Sequence, residues 1–186
     1  MKNYVILTAS AKTPYDYWYR EVKERIEEKG FEVCVPYLPQ NEHQNYKAWA
    51  RVILSYFKAG VINKETTIIA HDVACVFITR LLVENKLSVS GVIAVSPYNT
   101  ILGMDNDNLN KSFITRYEKL QKVERFVKFY HVFTSDNDPI VSTEETTKFC
   151  ESVKAKTHEI KNAGHFTEIE KFDELISLID SINEII

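Results

Sequence analysis

Residues 66–75 read TTIIAHDVAC. The β-branched run Thr66-Thr67-Ile68-Ile69 stops at Ala70, and helical spacing begins just after Asp72. An apolar run without alternation fits a short strand buried on both faces. A strand that passes directly into a helix is the repeating unit of parallel sheets, because the helix carries the chain back to begin the next strand alongside.

The same switch of period recurs along the chain. Short apolar runs predict strands at Asn3–Thr8, Phe31–Val35, Thr66–Ala70, Gly91–Ser96, Lys128–Thr134 and Thr157–Lys161. Helical spacing predicts helices near 14–29, 45–59, 73–85, 108–124, 142–154 and 168–185. Thr13-Pro14-Tyr15-Asp16 has the form of a helix start, and Gly30 the form of its stop. Ser142 with Glu145, and Thr167 with Glu170, have capping-box spacing. In the last helix Ile169, Phe172, Leu175, Ile176, Ile179 and Ile182 fall on one stripe. The expectation is a single α/β domain over residues 1–186, with a six-stranded, mostly parallel sheet and helices on both faces. The longest irregular stretch, from Pro97 to about Asn110, reads as an excursion over one end of the sheet.

Composition narrows the function classes. The 186 residues are 45% apolar and 26% charged, with a net charge of -3 and both signs mixed throughout. That excludes the basic footprint of a nucleic-acid binder. No apolar run is long enough for a signal peptide or a membrane span, so a cytoplasmic protein is expected. Cys34, Cys75 and Cys150 are far apart, odd in number and not in a CxxC pair, which fits reduced thiols. The DNDN run at 105–108 lacks a glycine at the sixth position of a calcium loop and has Arg116 at the twelfth. His165 with Glu168 is too little for a metal site. Neither metal nor cofactor is expected, and the partner class is a small-molecule substrate or ligand. Nothing fixes the oligomeric state.

Sheets of this kind bind ligands outside the carboxyl ends of their strands. Residues at those ends include Thr8-Ala9-Ser10, Pro36, His71-Asp72, Ser96-Pro97, Ser135-Asp136-Asn137-Asp138-Pro139 and Gly164-His165. Among them Asp72, Asp138 and His165 carry the groups that attack, orient and move protons. Their order is that of nucleophile, acid and histidine in α/β-hydrolases. At the strand-to-helix junction such enzymes carry G-x-S-x-G, whereas positions 70–74 read Ala-His-Asp-Val-Ala.

The chain resembles the small α/β-hydrolases that include the retinoblastoma-binding serine hydrolase and bacterial YdeN-like proteins. The resemblance runs nearly end to end, through YVILTASAKTPYDYWYREVKERI, TTIIAHDVAC, GVIAVSPYNTILG, SFITRY, VFTSDNDPIVS and NAGHFTE. The last two stretches are the most specific. The resemblance implies a serine-hydrolase triad, with Asp138 as its acid and His165 as its base. Asp72 stands where the nucleophilic serine should be. Thr8-Ala9-Ser10-Ala11 stands where a glycine-bearing loop would help form the oxyanion hole. The retinoblastoma-binding member's L-x-C-x-E segment has no counterpart here, so that partner is not implied.

Two readings of Asp72 stand side by side. It could cap the following helix with its carboxylate. It could also be a nucleophile, as in haloalkane dehalogenases and epoxide hydrolases of the same fold. In the second case an imidazole between two carboxylates starts protonated and becomes a base only once Asp72 is esterified. The Val73 N–H is the expected oxyanion donor, and the missing glycines near Ala9 imply that the second donor is displaced. Ala9, Ser10, His71, Val73 and Trp18 are the expected surroundings of a substrate. Ser10 and Ser96 are further hydroxyls at strand ends, open as surrogate nucleophiles or as plain loop residues. The functional expectation is a hydrolase of a small uncharged substrate that is no conventional serine esterase. The alternative is an inactive relative that keeps the pocket for ligand or protein binding.

Overall fold

A computed structural model describes residues 2–105, 107–167, 173, 176 and 177. Six strands, β1 (Asn3–Leu7), β2 (Glu32–Cys34), β3 (Thr66–His71), β4 (Gly91–Val95), β5 (Phe129–Ser135) and β6 (Lys156–Ile160), form one parallel sheet in the order β2-β1-β3-β4-β5-β6. Its helices are α1 (Tyr19–Glu27), α2 (Tyr46–Lys58), α3 (Val73–Asn85), α4 (Asp107–Asn110), α5 (Tyr117–Leu120) and α6 (Thr143–Val153). β3 and β4 lie in the middle and every one of their residues is buried, which explains their unbroken apolar runs.

Alternate side chains of the strands feed two cores. Val5, Leu7, Ile68, Ala70, Val92, Ala94 and Val132 face one layer, which contains Trp49 and Ile53 of α2 and the whole apolar surface of α3. Tyr4, Ile6, Ile69, Ile93, Val95 and Phe133 face the other, where Trp18 packs with Tyr19, Val22 and Ile26 of α1. α3 is buried nearly all round, as a helix pressed between a sheet and its neighbours must be. At the β4–β5 pairing a Cβ on Gly91 would sit 2.2 Å from the ring of Phe129, so any larger residue there requires that ring to move.

Three expected helices differ. Thr13–Asp16 does not begin a helix. Asp16 closes on the Thr13 N–H and hydroxyl, both at 2.7 Å, and Tyr17 then takes a positive φ of 49°, so α1 starts only at Tyr19. The span near 108–124 is not one helix but α4, α5 and a 3₁₀ stretch at Gln121–Arg125. The break is at Thr115, whose N–H and carbonyl pair instead with the amide of Asn99. The last helix, near 168–185, falls mostly outside the described residues. Residues 173, 176 and 177 are helical, and Ile176 packs on the second core. Of the capping box expected at Thr167 and Glu170, Glu170 likewise lies outside them.

The excursion after β4 is tied down by two acids. Asp107 accepts from the N–H groups of Leu102, Gly103 and Met104. The Ser142 hydroxyl accepts from the Glu145 N–H, but the Glu145 side chain does not return the bond as a capping box would. It accepts instead from the Asn99 N–H at 2.7 Å and from the Tyr117 hydroxyl. One residue of α6 thereby anchors the segment that covers the carboxyl end of the sheet.

Candidate active site

The junction of β3 and α3 is a sharp elbow. Asp72 has φ 60° and ψ -132°, a strained conformation for a residue with a Cβ, costing on the order of 1–3 kcal/mol. Fully buried Ala70 and Ala74 flank it with side chains small enough for strand and helix to pack closely. The Asp72 N–H still bonds the Val95 carbonyl at 3.0 Å, so the sheet holds the elbow in place. Its side chain does not cap α3. It turns toward the loop after β1, where Oδ2 accepts from the Ser10 N–H at 2.9 Å.

This loop supplies a backbone donor without a glycine. The positive φ falls on Ala11, at 53°, which leaves Ser10 free to point its N–H inward. The donor expected to be displaced is therefore present. The neighbouring Ala9 N–H is committed elsewhere, to the Tyr19 hydroxyl at 2.9 Å.

His165 lies between two carboxylates. Its Nδ1 is 2.9 Å from Asp138 Oδ2 and 3.1 Å from Oδ1, and its Nε2 is 3.7 Å from Asp72 Oδ1. The first contact is a hydrogen bond, and the second is an ion pair beyond hydrogen-bond length. Asp138 also accepts from the N–H groups of Ile140 and Val141 and from the Ser96 hydroxyl. Burial disfavours the imidazolium, but the hydrogen bond to Asp138 and the charges of Asp72 and Asp138 outweigh it and raise His165 to about 9. Burial also acts against both carboxylates, yet His165 and the backbone donors hold Asp72 and Asp138 below the usual carboxylate range. At neutral pH the three groups form an anion–cation–anion row.

Beneath this row His71 is wholly buried. Its Nδ1 lies 2.8 Å from the Tyr19 hydroxyl and its Nε2 lies 3.1 Å from the His165 carbonyl. The carbonyl can only accept, so Nε2 carries the proton and Nδ1 accepts from Tyr19. Burial, and then the nearby His165, lower His71 to about 3 and keep it neutral.

Asp72, His165, Ala9, Ser10, Tyr98 and the apolar side chains of Leu102, Met104 and Ile140 line a cavity of about 290 Å³. Lys12 and Tyr17 stand in the same wall, with the Lys12 ammonium 4.7 Å above the Tyr17 ring. Of the expected substrate surroundings, Ala9 and Ser10 line this space. The side chains of Trp18, His71 and Val73 do not, being fully buried in the two cores and beneath the row, although for Val73 the expected donor is its backbone N–H. Neither surrogate serine reaches His165. The Ser10 hydroxyl donates to Asn110 and the Ser96 hydroxyl to Asp138. Among the described residues no group of three or more His, Cys, Asp and Glu side chains could hold a metal ion.

Sequence reasoning missed Tyr98, Asn110 and Gln44. All three are buried and joined by hydrogen bonds beside Asp72. Tyr98 follows β4 by three residues, at a strand end where a ligand-facing group is to be expected. Nothing in the spacing singles out Gln44 or Asn110.

Comparison with known proteins agrees with this architecture. The profile of the Serine hydrolase family matches residues 5–183. YdeN of Bacillus subtilis (strain 168) is 24% identical over 170 residues, which cover 89% of this chain and 86% of YdeN. The crystal structure of the ydeN gene product from B. subtilis superposes with a TM-score of 0.84 at 20% identity, covering 97% of this chain and 98% of that one. A mutant of the meta-cleavage product hydrolase CumD of Pseudomonas fluorescens IP01, complexed with acetates, gives 0.76 at 14% identity over 99% and 92%. Est1E of Butyrivibrio proteoclasticus gives 0.76 at 14% identity over 98% and 88%. With its parallel six-stranded sheet, its elbow at Asp72 and a family match across nearly its whole length, the chain belongs to the Serine hydrolase family.

Proposed function

We propose that this protein hydrolyses a small, uncharged substrate through a covalent ester on Asp72. The observation that carries the reading is the unequal holding of the two Asp72 oxygens. Oδ2 is fixed by the Ser10 N–H at 2.9 Å, while Oδ1 lies 3.7 Å from His165 Nε2, beyond hydrogen-bond length, in a residue that lines the cavity. An attacking carboxylate needs one oxygen with an unoccupied lone pair. It also needs a donor on the other oxygen, which becomes the carbonyl of the ester and then the oxyanion when water attacks. Esterification removes the negative charge of Asp72, so His165 loses part of what holds its proton and can then take one from water. Asp138 keeps the imidazole oriented throughout. The unpaired thiols Cys34, Cys75 and Cys150 fit a cytoplasmic setting. Among the described residues no helix is long and apolar enough to cross a membrane.

A single turnover in heavy-oxygen water tests the reading, because water attacks the ester carbonyl and leaves one labelled oxygen in Asp72. Mass spectrometry of the Asp72 peptide reads it. His165→Gln should accumulate the ester and Asp72→Ala should never form it. Turnover without label in Asp72 would exclude the covalent route. The second reading, a ligand-binding relative without turnover, is favoured by one observation. The Ser10 N–H is already spent on Asp72 itself, and the charged row is self-compensating. A ligand that raises the melting temperature without being consumed would support it. In either case the wild type should resist fluorophosphonates.

A further inference from the structure

The charged row holds one distance longer than its charges would set. A carboxylate and an imidazolium in contact bond at about 2.7–2.9 Å. His165 Nδ1 reaches Asp138 at 2.9 Å, yet its Nε2 stops 3.7 Å from Asp72 Oδ1. Both residues are buried, so solvent screens their attraction little. Asp72 is bound by the Ser10 N–H at 2.9 Å and by the Tyr98 hydroxyl. His165 cannot close the gap by turning its ring alone, because Nδ1 would leave Asp138. Closing the pair therefore takes a movement of the His165 backbone.

That backbone is fastened from two directions. Before His165 the loop is held by the segment that follows β5. The Asn162 N–H donates to Asp136 at 2.7 Å, the Ala163 N–H to the Ser135 hydroxyl at 3.1 Å and the Gly164 N–H to Asn137 at 2.8 Å. After His165 the chain turns sharply, and Phe166 takes a positive φ of 53° although it has a Cβ. A residue keeps such a conformation where its surroundings impose it. The peptide between His165 and Phe166 is pinned on both sides. Its N–H bonds the Ala163 carbonyl at 3.0 Å, and its carbonyl accepts from His71 Nε2 at 3.1 Å. Of these bonds only the last comes from β3, the strand that leads into Asp72. The other end of His71 is fixed as well. The Tyr19 oxygen accepts from the Ala9 N–H at 2.9 Å and gives its hydrogen to His71 Nδ1 at 2.8 Å. A strut of three bonds thus runs from the loop after β1, through α1 and the end of β3, to the loop after β6.

We infer that His71 is a positioning residue, which holds the Asp72–His165 pair open through the His165 carbonyl. The inference rests on the reading of Asp72 as nucleophile and names what keeps that nucleophile available. A closed pair would put the imidazolium hydrogen on the Oδ1 lone pair that has to attack. An open pair leaves that lone pair to the substrate, while His165 stays near enough to act on the ester afterwards. His71 touches neither the cavity nor the reacting atoms, so its effect passes entirely through the backbone it anchors.

Two amide variants separate the ends of the strut. The amide nitrogen of His71→Gln takes the place of Nε2 and still donates to the His165 carbonyl. The amide oxygen of His71→Asn takes the place of Nδ1 and accepts from Tyr19, but its side chain is too short to reach that carbonyl. The readout is NMR of the His165 Nε2 hydrogen together with titration of the ring, and neither needs a substrate. In the wild type and in His71→Gln that hydrogen should exchange rapidly with water and show no downfield shift. In His71→Asn it should move downfield and exchange more slowly. The ring should also hold its proton about tenfold more tightly, titrating about one unit above the wild type. A role in stability alone would weaken both variants without separating their spectra. His71→Leu removes both bonds and should match His71→Asn, so either serves where the other does not fold. A downfield, slowly exchanging hydrogen in the wild type, or the same spectrum from the Gln and Asn variants, would overturn the inference. Alkylation of Asp72 by a 1-bromoalkane, followed by mass spectrometry, adds a second reading. It should slow about tenfold in His71→Asn, where a charge-assisted bond must first break, and be kept in His71→Gln. If Asp72 is not alkylated even in the wild type, the nucleophile is lost, while the spectra still decide whether His71 holds the pair open.

Discussion

His71 and His165 have ring centroids 5.2 Å apart, yet they are driven in opposite directions. His71 has two neutral hydrogen-bond partners, a phenol and a carbonyl, and burial, then the nearby His165, keeps it uncharged, lowered to about 3. His165 is almost as well buried, but two carboxylates face its two nitrogens and raise it to about 9. Burial alone does not decide the charge of a histidine. What decides it is whether the groups that replace water are dipoles or ions. The same distinction separates the tasks, since His71 fastens loops and His165 can move a proton.

The strongest way to break the contrast is Asp138→Asn. It removes the carboxylate that bonds Nδ1 and leaves a buried charged row incomplete. Stability at pH 7 should fall by about 3–5 kcal/mol in urea unfolding. The imidazole of His165, followed by NMR titration, should move down from about 9 toward its ordinary value. An unchanged titration would show that Asp72 alone sets the charge.

The pH dependence of stability follows from the two signs. His165 has a folded value above its ordinary 6.5, so its contribution is complete below pH 6.5 and is lost as pH rises toward about 9. His71 has a folded value below 6.5, so its contribution is complete above pH 6.5 and is lost as pH falls toward about 3. His131, lowered to about 4 by burial, acts in the same acid direction. The lowered Asp72 and Asp138 add a further acid-side loss as pH falls below their ordinary 3.8. Unfolding free energy should peak near pH 6.5 and decline on both sides by up to about 1.4 kcal/mol per pH unit for each proton involved. A profile flat from pH 6.5 to 9 would show that His165 is not held as an imidazolium.

Tyr19→Phe tests the neutral partner. The ring still fills the core, but the Ala9 N–H and His71 Nδ1 lose the oxygen between them. The expected loss is about 1–3 kcal/mol, with the His165 titration little changed. The smallest effect is expected at the elbow. Asp72→Gly should be roughly 1 kcal/mol more stable than Asp72→Ala, because glycine takes φ 60° without Cβ strain. Equal stability of the two variants would mean that the elbow relaxes when its carboxylate is removed.

The sheet was legible because burial on both faces leaves a plain mark, as in Thr66–Ala70 and Gly91–Val95. The polar residues were readable as types but not as partners. Thr13 to Asp16 has the composition of a helix start and also of a closed turn, and the positive φ of Tyr17 decides between them. Glu145 has capping-box spacing, but a buried N–H at Asn99 makes a stronger claim on its carboxylate. For Asp72 the deciding contact is the Ser10 N–H, 62 residues away along the chain. The Gln44–Asn110 bond joins segments just as distant, 66 residues apart, and only the closed fold brings them together.

The strand order has a consequence for the making of the molecule. Asp72 follows β3, Asp138 follows β5 and His165 follows β6, the edge strand and the last of the six to be synthesised. Chains fold as they emerge, N-terminal parts first. A nascent chain that stops short of β6 therefore carries Asp72 without the imidazole of His165 beside it. Whatever the site does begins only when the sheet gains its final edge, so no partly made copy can act on the substrate.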